Sequence, residues 1–234
     1  MNLKSFSAVI QLKKLISLTF MLHLSAVILA QSIKLGKHEL VANQVSLTKV
    51  EIKGKAAVRV VKDTTVREID EPTFAKLVDT NFKNGIIQVK VLSRLLSTAP
   101  EYARGFIGLA YRINKDNTAY ESIYIRPTNG RAEDQVRRNH AIQYYAYPDW
   151  KFDRLRKEKP EQYESYTDMQ LDKWITIRIE VKDNVAKLFL NKKDQPSLYV
   201  NTPKDVIVKA GGIGLWVDIG TEGFFTDLKI TKID

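Results

Sequence analysis

The segment "NGIIQVKVLSRLL" limits the possible folds more than any other feature of this chain. Ile87, Val89 and Val91 alternate with Gln88 and Lys90. Successive side chains of an extended strand point to opposite faces, so this run is a strand with one face buried and one wet. Similar short runs recur in "KAAVRVVK", "GFIGLAYRIN", "AYESIYIRPTNG", "HAIQYYAYPDW", "KWITIRIEVKDN", "GGIGLWVDIG" and "EGFFTDLKITKI". Turn-forming "NKDN" and "PTNG" and the tight hairpin "VKDNVA" separate them. No long amphipathic helix and no internal repeat competes with this pattern. "EPTFAKLVDTNF" reads as a short helical or loop connector. Residues 148–170, charged and aromatic, read as a partly helical flap or rim. The expected fold class is all-β: a two-sheet antiparallel jelly-roll sandwich with one charged, partly helical insertion.

Residues 1–30 stand apart from this pattern. Lys4, Lys13 and Lys14 precede an apolar run from Leu15 to Leu29, and Ala30 follows. Positive region, apolar region and small residue are the order of a signal peptide, and the run is short for a membrane span. The expected domains are a signal peptide over 1–30 and one domain over 31–234, with a periplasmic or secreted location. No stable membrane insertion is expected after cleavage. With no cysteine in the chain, there is no disulfide framework and no site for a lipoprotein anchor, so the core alone must hold the domain. The net charge of +10 falls to +7 without the leader and its three lysines. The basic residues are dispersed, which fits a solvated surface and argues against a nucleic-acid partner.

The second half resembles the concanavalin A-like lectin/glucanase jelly rolls, and within them the laminin-G-like domains. "KWITIRIEVKDNVAKLFLN" followed by "GGIGLWVDIGTEGFFTDLKI" carries the resemblance. "GFIGLAYR" and "YESIYIRP" look like central strands of the bacterial keto-disaccharide hydrolase-like branch. The similarity covers residues 80–234. It implies the sandwich fold and a sugar-binding concave sheet. It does not fix an activity, because one fold hosts lectins, hydrolases and adhesion modules.

Parity then sorts the central strands. Ile107, Leu109, Tyr111 and Ile113 share a core face with Ile123, Ile125, Ile142, Tyr144, Ile213, Leu215 and Val217. In the last strand, Phe224, Leu228 and Ile230 are expected on one face. The outward set is Arg112, Ser122, Tyr124, Arg126, Gln143, Tyr145, Trp216 and Asp218. It offers flat rings for sugar C–H faces and forked or amide donors for hydroxyls, and the same residues would also suit an ordinary cross-strand ladder. Trp216 is expected to be a stacking platform and Trp174 to be structural.

Glu121 falls with Ile123 on the core side, where it needs a partner that Arg112 or His140 would supply if a bulge flips the register; the other reading is an edge glutamate at the strand start. The "EIDEP" stretch holding Glu68 and Asp70 reads as a turn, because Pro72 would break a strand. Only His38 and His140 follow the leader, so neither a His-rich zinc site nor a Cys-His nucleophile can be built. His140 opens a strand and reads as a satisfied structural side chain. No metal site is expected. Calcium is compatible with the resembled fold, but no dense Asp/Asn loop marks it.

Three functions follow. The first is an exported carbohydrate-binding protein using Arg112, Ser122, Tyr124, Arg126, Gln143, Tyr145 and Trp216. The second is a glycoside or keto-glycoside hydrolase using Glu121 or Asp218 with Arg112. The third is a structural or adhesion module. Paired acids in a groove would favour the enzyme, and a filled sheet would favour adhesion.

Overall fold

The computed structural model describes residues 30–206 and 210–233. The expected leader, apart from Ala30, lies outside the described residues.

Two antiparallel sheets pack face to face. Strands β1 (Ala30–Ile33), β3 (Val45–Ile52), β4 (Lys55–Lys62), β6 (Gly85–Leu95), β11 (Ile175–Lys182), β12 (Val185–Leu190), β13 (Leu198–Asn201) and β15 (Thr221–Lys232) form the first. Its order is β13-β12-β11-β6-β15-β4-β3, with β1 paired to β15. Strands β2 (Leu40–Asn43), β5 (Phe74–Leu77), β7 (Ile107–Ile113), β8 (Tyr120–Ile125), β9 (Ile142–Tyr147), β10 (Glu164–Ser165) and β14 (Gly212–Val217) form the second. Its order is β10-β9-β8-β7-β14-β5-β2. The last two strands thus occupy interior places, β14 in one sheet and β15 in the other. Their apolar, glycine-broken sequences suit strands with neighbours on both edges.

The core lies where alternation put it. Ile107, Leu109, Ile123, Ile125, Ile142, Leu215, Ile177, Ile179, Leu188, Leu228 and Ile230 belong to one buried cluster between the sheets. The Asp183 turn closes the β11–β12 hairpin with φ 52°.

Three local readings change. "EPTFAKLVDTNF" contains strand β5 rather than a helix or plain loop, because Phe74 and Ala75 pair with both β14 and β2. A bulge at Asp227 (φ 53°) shifts the β15–β6 register between Thr226 and Lys229. Phe225 therefore enters the core, while Phe224 joins Ile52, Ala57 and Leu92 on the outer face of the eight-stranded sheet. Trp174, half-buried, packs against this same small cluster. The third change concerns Arg112, which occupies a bulge opposite β14 in the left-handed region (φ 55°). It turns inward instead of standing with the outward set.

The two sheets treat their outer faces differently. In β11, buried and half-buried residues alternate, as for a wet outer face. In β7, β8 and β14 every residue is buried. A second layer therefore covers the outer face of the seven-stranded sheet. It consists of the β4–β5 loop and the insertion after β9, with the short helices α1 (Gln135–Asn139) and α2 (Phe152–Glu158) at its edge.

Candidate functional site

The covered part of that outer face is a packed aromatic layer. Trp216 sits across from Gly108 and Phe74 in the ladder, with no solvent exposure. Its ring centroid is 4.7 Å from that of Tyr124 and 5.6 Å from that of Tyr145, and its indole N–H donates to the Glu71 carbonyl at 2.9 Å. A Cβ at 108 would meet the Ile123 carbonyl oxygen at 2.3 Å and the Tyr124 Cα at 2.6 Å, so glycine is what lets β8 and the root of Tyr124 come this close to β7. Tyr145 exchanges a 2.9 Å hydrogen bond with Tyr120. Ser122 lies beneath, fully buried. Trp216, Tyr145 and Ser122 thus face the side that parity assigned, but present nothing to a ligand. The room that Gly108 and Ala110 were expected to leave is filled by the chain's own rings.

Glu71 and its neighbours latch the cover down. Its carboxylate takes Tyr147 Oη at 3.2 Å and pairs with Lys151. The neighbouring Asp70 accepts the Phe152 N–H at 2.9 Å. These bonds join the β4–β5 loop to the start of α2 across the top of the sheet.

The cover stops short at one end. Beyond it lies a recess of about 470 Å³. Phe106, Tyr124, Arg126 and Asp218, at the ends of β7, β8 and β14, form its floor. Asp70 comes from the β4–β5 loop, Tyr102 and Arg104 from the β6–β7 loop, Arg137 from α1, His140 from the end of α1, and Phe152 and Arg156 from α2.

Three carboxyls line this recess: Asp134, exposed and accepting the Arg137 backbone N–H at the start of α1, and Asp70 and Asp218, which are buried together. Asp218 accepts from Lys62 Nζ at 2.5 Å and from the Asp70 backbone N–H at 2.9 Å. Burial pushes the Asp70 carboxyl up to about 7, and the Asp218 charge adds to this; the Phe152 N–H, Arg126 and Tyr124 pull the other way without cancelling it. A proton therefore comes and goes on Asp70 near neutrality.

Arg126 is the organising cation. Its guanidinium donates to Tyr124 Oη at 2.8 Å, to the His140 carbonyl at 2.9 Å, and to Gln143 Oε1 and Glu164 Oε1 at 3.2 Å. Gln143, itself buried, is thus a holder of Arg126 rather than a wall of the recess. Glu164 also takes Arg156 at 2.5 Å and stands 2.9 Å from His140 Nδ1, out of line for a good hydrogen bond. Burial alone would raise the Glu164 carboxyl, but Arg156, Arg126 and His140 outweigh it and hold it below its usual range. His140 is depressed, by burial first and then by Arg156 and Arg126, against the pull of Glu164. His140 therefore edges the recess instead of serving only the fold.

The remaining expected site residues lie elsewhere. Glu121 is buried on the core side at the opposite end of the sheet. There Arg112 donates to it at 2.8 Å, Tyr144 at 2.9 Å and Thr202 at 2.8 Å. The bulge at Arg112 is what brings that guanidinium inside, where it also bonds the Lys83 and Asp183 carbonyls. Of the expected set, Tyr124, Arg126 and Asp218 line the recess, while Glu121 and Arg112 close a distant corner of the core.

The recess also contains residues that strand reasoning missed: Asp70, Arg104, Arg137, Phe152 and Arg156. Asp70 does sit in a turn, and that turn drops onto the sheet beside Asp218. A carboxyl in a short sequence of mixed charge gives no local sign of a partner 148 residues away. Among the described residues, no group of three or more His, Cys, Asp or Glu is gathered as a metal site, and no helix is long and apolar enough to cross a membrane.

No protein family matches the sequence, and neither does any curated protein. Solved structures match in shape. Carbohydrate binding module CBM66 from Bacillus subtilis superposes with a TM-score of 0.50 at 12% identity, covering 81% of this chain and 96% of that one. A protein provisionally described as a glycosyl hydrolase, from Parabacteroides distasonis, gives 0.50 at 13% identity, covering 81% and 94%. The likeness is one of fold: like them, the chain is a two-sheet antiparallel jelly-roll sandwich.

Proposed function

We propose that the chain binds a saccharide in the recess at the Arg126 end of the seven-stranded sheet. The lining carries this reading. The rings of Tyr102, Phe106 and Phe152 stand around Arg126, Asp70 and Asp218. Sugars offer apolar C–H faces and hydroxyl edges; flat rings meet the first, and guanidinium forks and carboxyls meet the second. The volume falls within the usual range of small-ligand pockets. Resemblance to CBM66 shows that such a sandwich can carry this activity, and no more than that. Export and removal of residues 1–30 accompany the reading, on the strength of the lysines and apolar run before Ala30; an intact mass that retains Met1 in exported protein would remove the cleavage, and protein found only inside the cell would remove the export.

Titration calorimetry against an oligosaccharide panel tests the binding site. Tyr102 is 55% exposed and bears little of the fold. Tyr102→Ala should weaken saccharide binding by about tenfold, the equivalent of ~1.4 kcal/mol, with an unchanged melting temperature. If no saccharide binds, or if binding ignores both Tyr102→Ala and Phe152→Ala, the site lies elsewhere.

One observation favours a hydrolase as a second reading. A carboxyl that carries its proton near neutrality, beside a second carboxyl, is suited to protonating a leaving-group oxygen. Reducing-sugar release that is lost in Asp70→Asn while binding persists would support it. Bound sugar recovered intact from the unmodified protein would leave binding as the whole activity.

A further inference from the structure

Resting on the saccharide reading, we propose that the recess selects an acidic saccharide, holding its carboxylate or sulfate ester between Arg104 and Arg137. Four arginines line the recess: Arg104, Arg126, Arg137 and Arg156. Arg126 and Arg156 share Glu164. The side chains of Arg104 and Arg137 have no carboxylate partner among the described residues. Arg104 donates only to the carbonyls of Glu101 and Ala103, through Nη1. Arg137 donates to Asn129 Oδ1 at 3.0 Å and Thr128 Oγ1 at 3.3 Å, both neutral acceptors.

A guanidinium has five N–H donors in a fixed fork, so several on each residue stay free. The two charges also oppose each other. Burial first, then Arg137, and last Arg126 hold the Arg104 pKa below its usual value, against the weaker pull of Glu101, which makes no ion pair with it. Like charges held together in a half-enclosed recess are costly unless an anion joins them, and planar forks match a carboxylate or sulfate bidentately. Tyr102 and Phe106, which line the same recess, are ring surfaces that a sugar would use.

Asp70 tunes the affinity. The groups around it are Asp218 backed by Lys62, Arg126, Lys151, the hydroxyls of Tyr124, Tyr120 and Tyr145, and the Phe152 N–H. With its proton, Asp70 is neutral and the cations dominate. Above about 7 its charge opposes an incoming anion. Affinity for the acidic ligand should therefore rise as the pH falls through neutrality. Protonation of His140 reinforces the trend at lower pH, since its pKa is depressed.

The test is calorimetry on the full-length mature protein with matched pairs of probes. Oligogalacturonate is paired with its methyl ester, oligomannuronate with its methyl ester, and sulfated galactan oligosaccharides with the desulfated form. Inorganic sulfate is a separate arm. At least one acidic member should bind about tenfold or more tightly than its neutral partner. Which pair shows the difference tells carboxylate from sulfate ester. Arg104→Gln with Arg137→Gln should erase the difference, and Arg104→Lys should keep part of it; circular dichroism checks that each variant folds.

Neutral members binding as tightly as acidic ones would overturn the anion selectivity and leave the saccharide reading standing. Sulfate binding that depends on both arginines, with no oligosaccharide bound, would do the reverse. No binding by any probe would sink both.

Discussion

Two carboxylic acids, Glu121 and Asp70, lie equally deep at opposite ends of one sheet, and they are treated in opposite ways. Glu121 receives three side-chain donors, one of them a guanidinium, and is fully buried. Asp70 receives one N–H, faces another carboxyl, and borders a recess. Buried charge that is fully met by donors closes a corner of a core. Buried charge left short of donors, beside a cavity, carries a proton that responds to pH. The difference marks which end of the molecule is built for stability and which for a ligand.

The sharpest way to break this comparison is at the closed end. Arg112→Ala would leave Glu121 with a charge and only hydroxyl donors, and removing one partner of a buried pair costs about 3–5 kcal/mol. Urea denaturation should show a loss of that size. A change under about 1 kcal/mol would mean that the Glu121 corner is no more closed than the Asp70 one.

The two tryptophans extend the same contrast. Trp216→Ala should cost about 3–5 kcal/mol, because a fully buried ring and its N–H bond are lost. This reverses the expectation that Trp216 stacks on sugar. Trp174→Ala, at a half-buried ring on the eight-stranded sheet, should cost less, roughly 1–2 kcal/mol. Equal losses in denaturation would show that the aromatic cover over the seven-stranded sheet is looser than its packing indicates.

These variants also mark where the sequence stops being readable. Alternation placed Ile123, Ile125 and Leu215 in the core, because a strand's period of two is a local property. The bulges at Arg112 and Asp227 each reset that period, and neither residue type announces a bulge. The cover was less legible still. Trp216, Tyr145 and Ser122 point to the outer face as alternation requires. Whether that face meets water depends on where Glu71 and Lys151 meet, a contact set by loops distant in sequence. Asp70 escaped for the same reason: Pro72 does end any strand there, and only the folded chain shows where the turn lands.

A smaller effect tests the open end. Asp70 has a folded pKa of about 7 against an ordinary 3.8. Between those values the folded chain holds a proton that the unfolded chain has released. Stability from this group is therefore full below about pH 4, declines as the pH rises through about 7, and then levels off. Asp70→Asn keeps an acceptor for the Phe152 N–H and removes the charge. It should flatten this slope and be the more stable form at alkaline pH, by on the order of a few kcal/mol or less. Parallel stability–pH curves for the two proteins would place the titration elsewhere.

The smallest effect is expected from Arg104→Gln, and that smallness is what separates Arg104 from Arg112. One arginine lies in strand β7 and the other in the loop that leads into it. Arg112 is 3% exposed and neutralised by Glu121, so losing it uncovers a buried charge. Arg104 is half-buried, bonds two backbone carbonyls through one nitrogen, and is repelled by Arg137 and Arg126. Glutamine there forfeits part of the carbonyl bonding and relieves the repulsion. These changes oppose each other, and the midpoint of denaturation should move by no more than about 0.5 kcal/mol in either direction. A slight gain would fit a residue kept for a ligand at some cost to the fold. A loss of more than about 2 kcal/mol would make Arg104 a second Arg112, and the recess would then be one more sealed corner with no anion to hold.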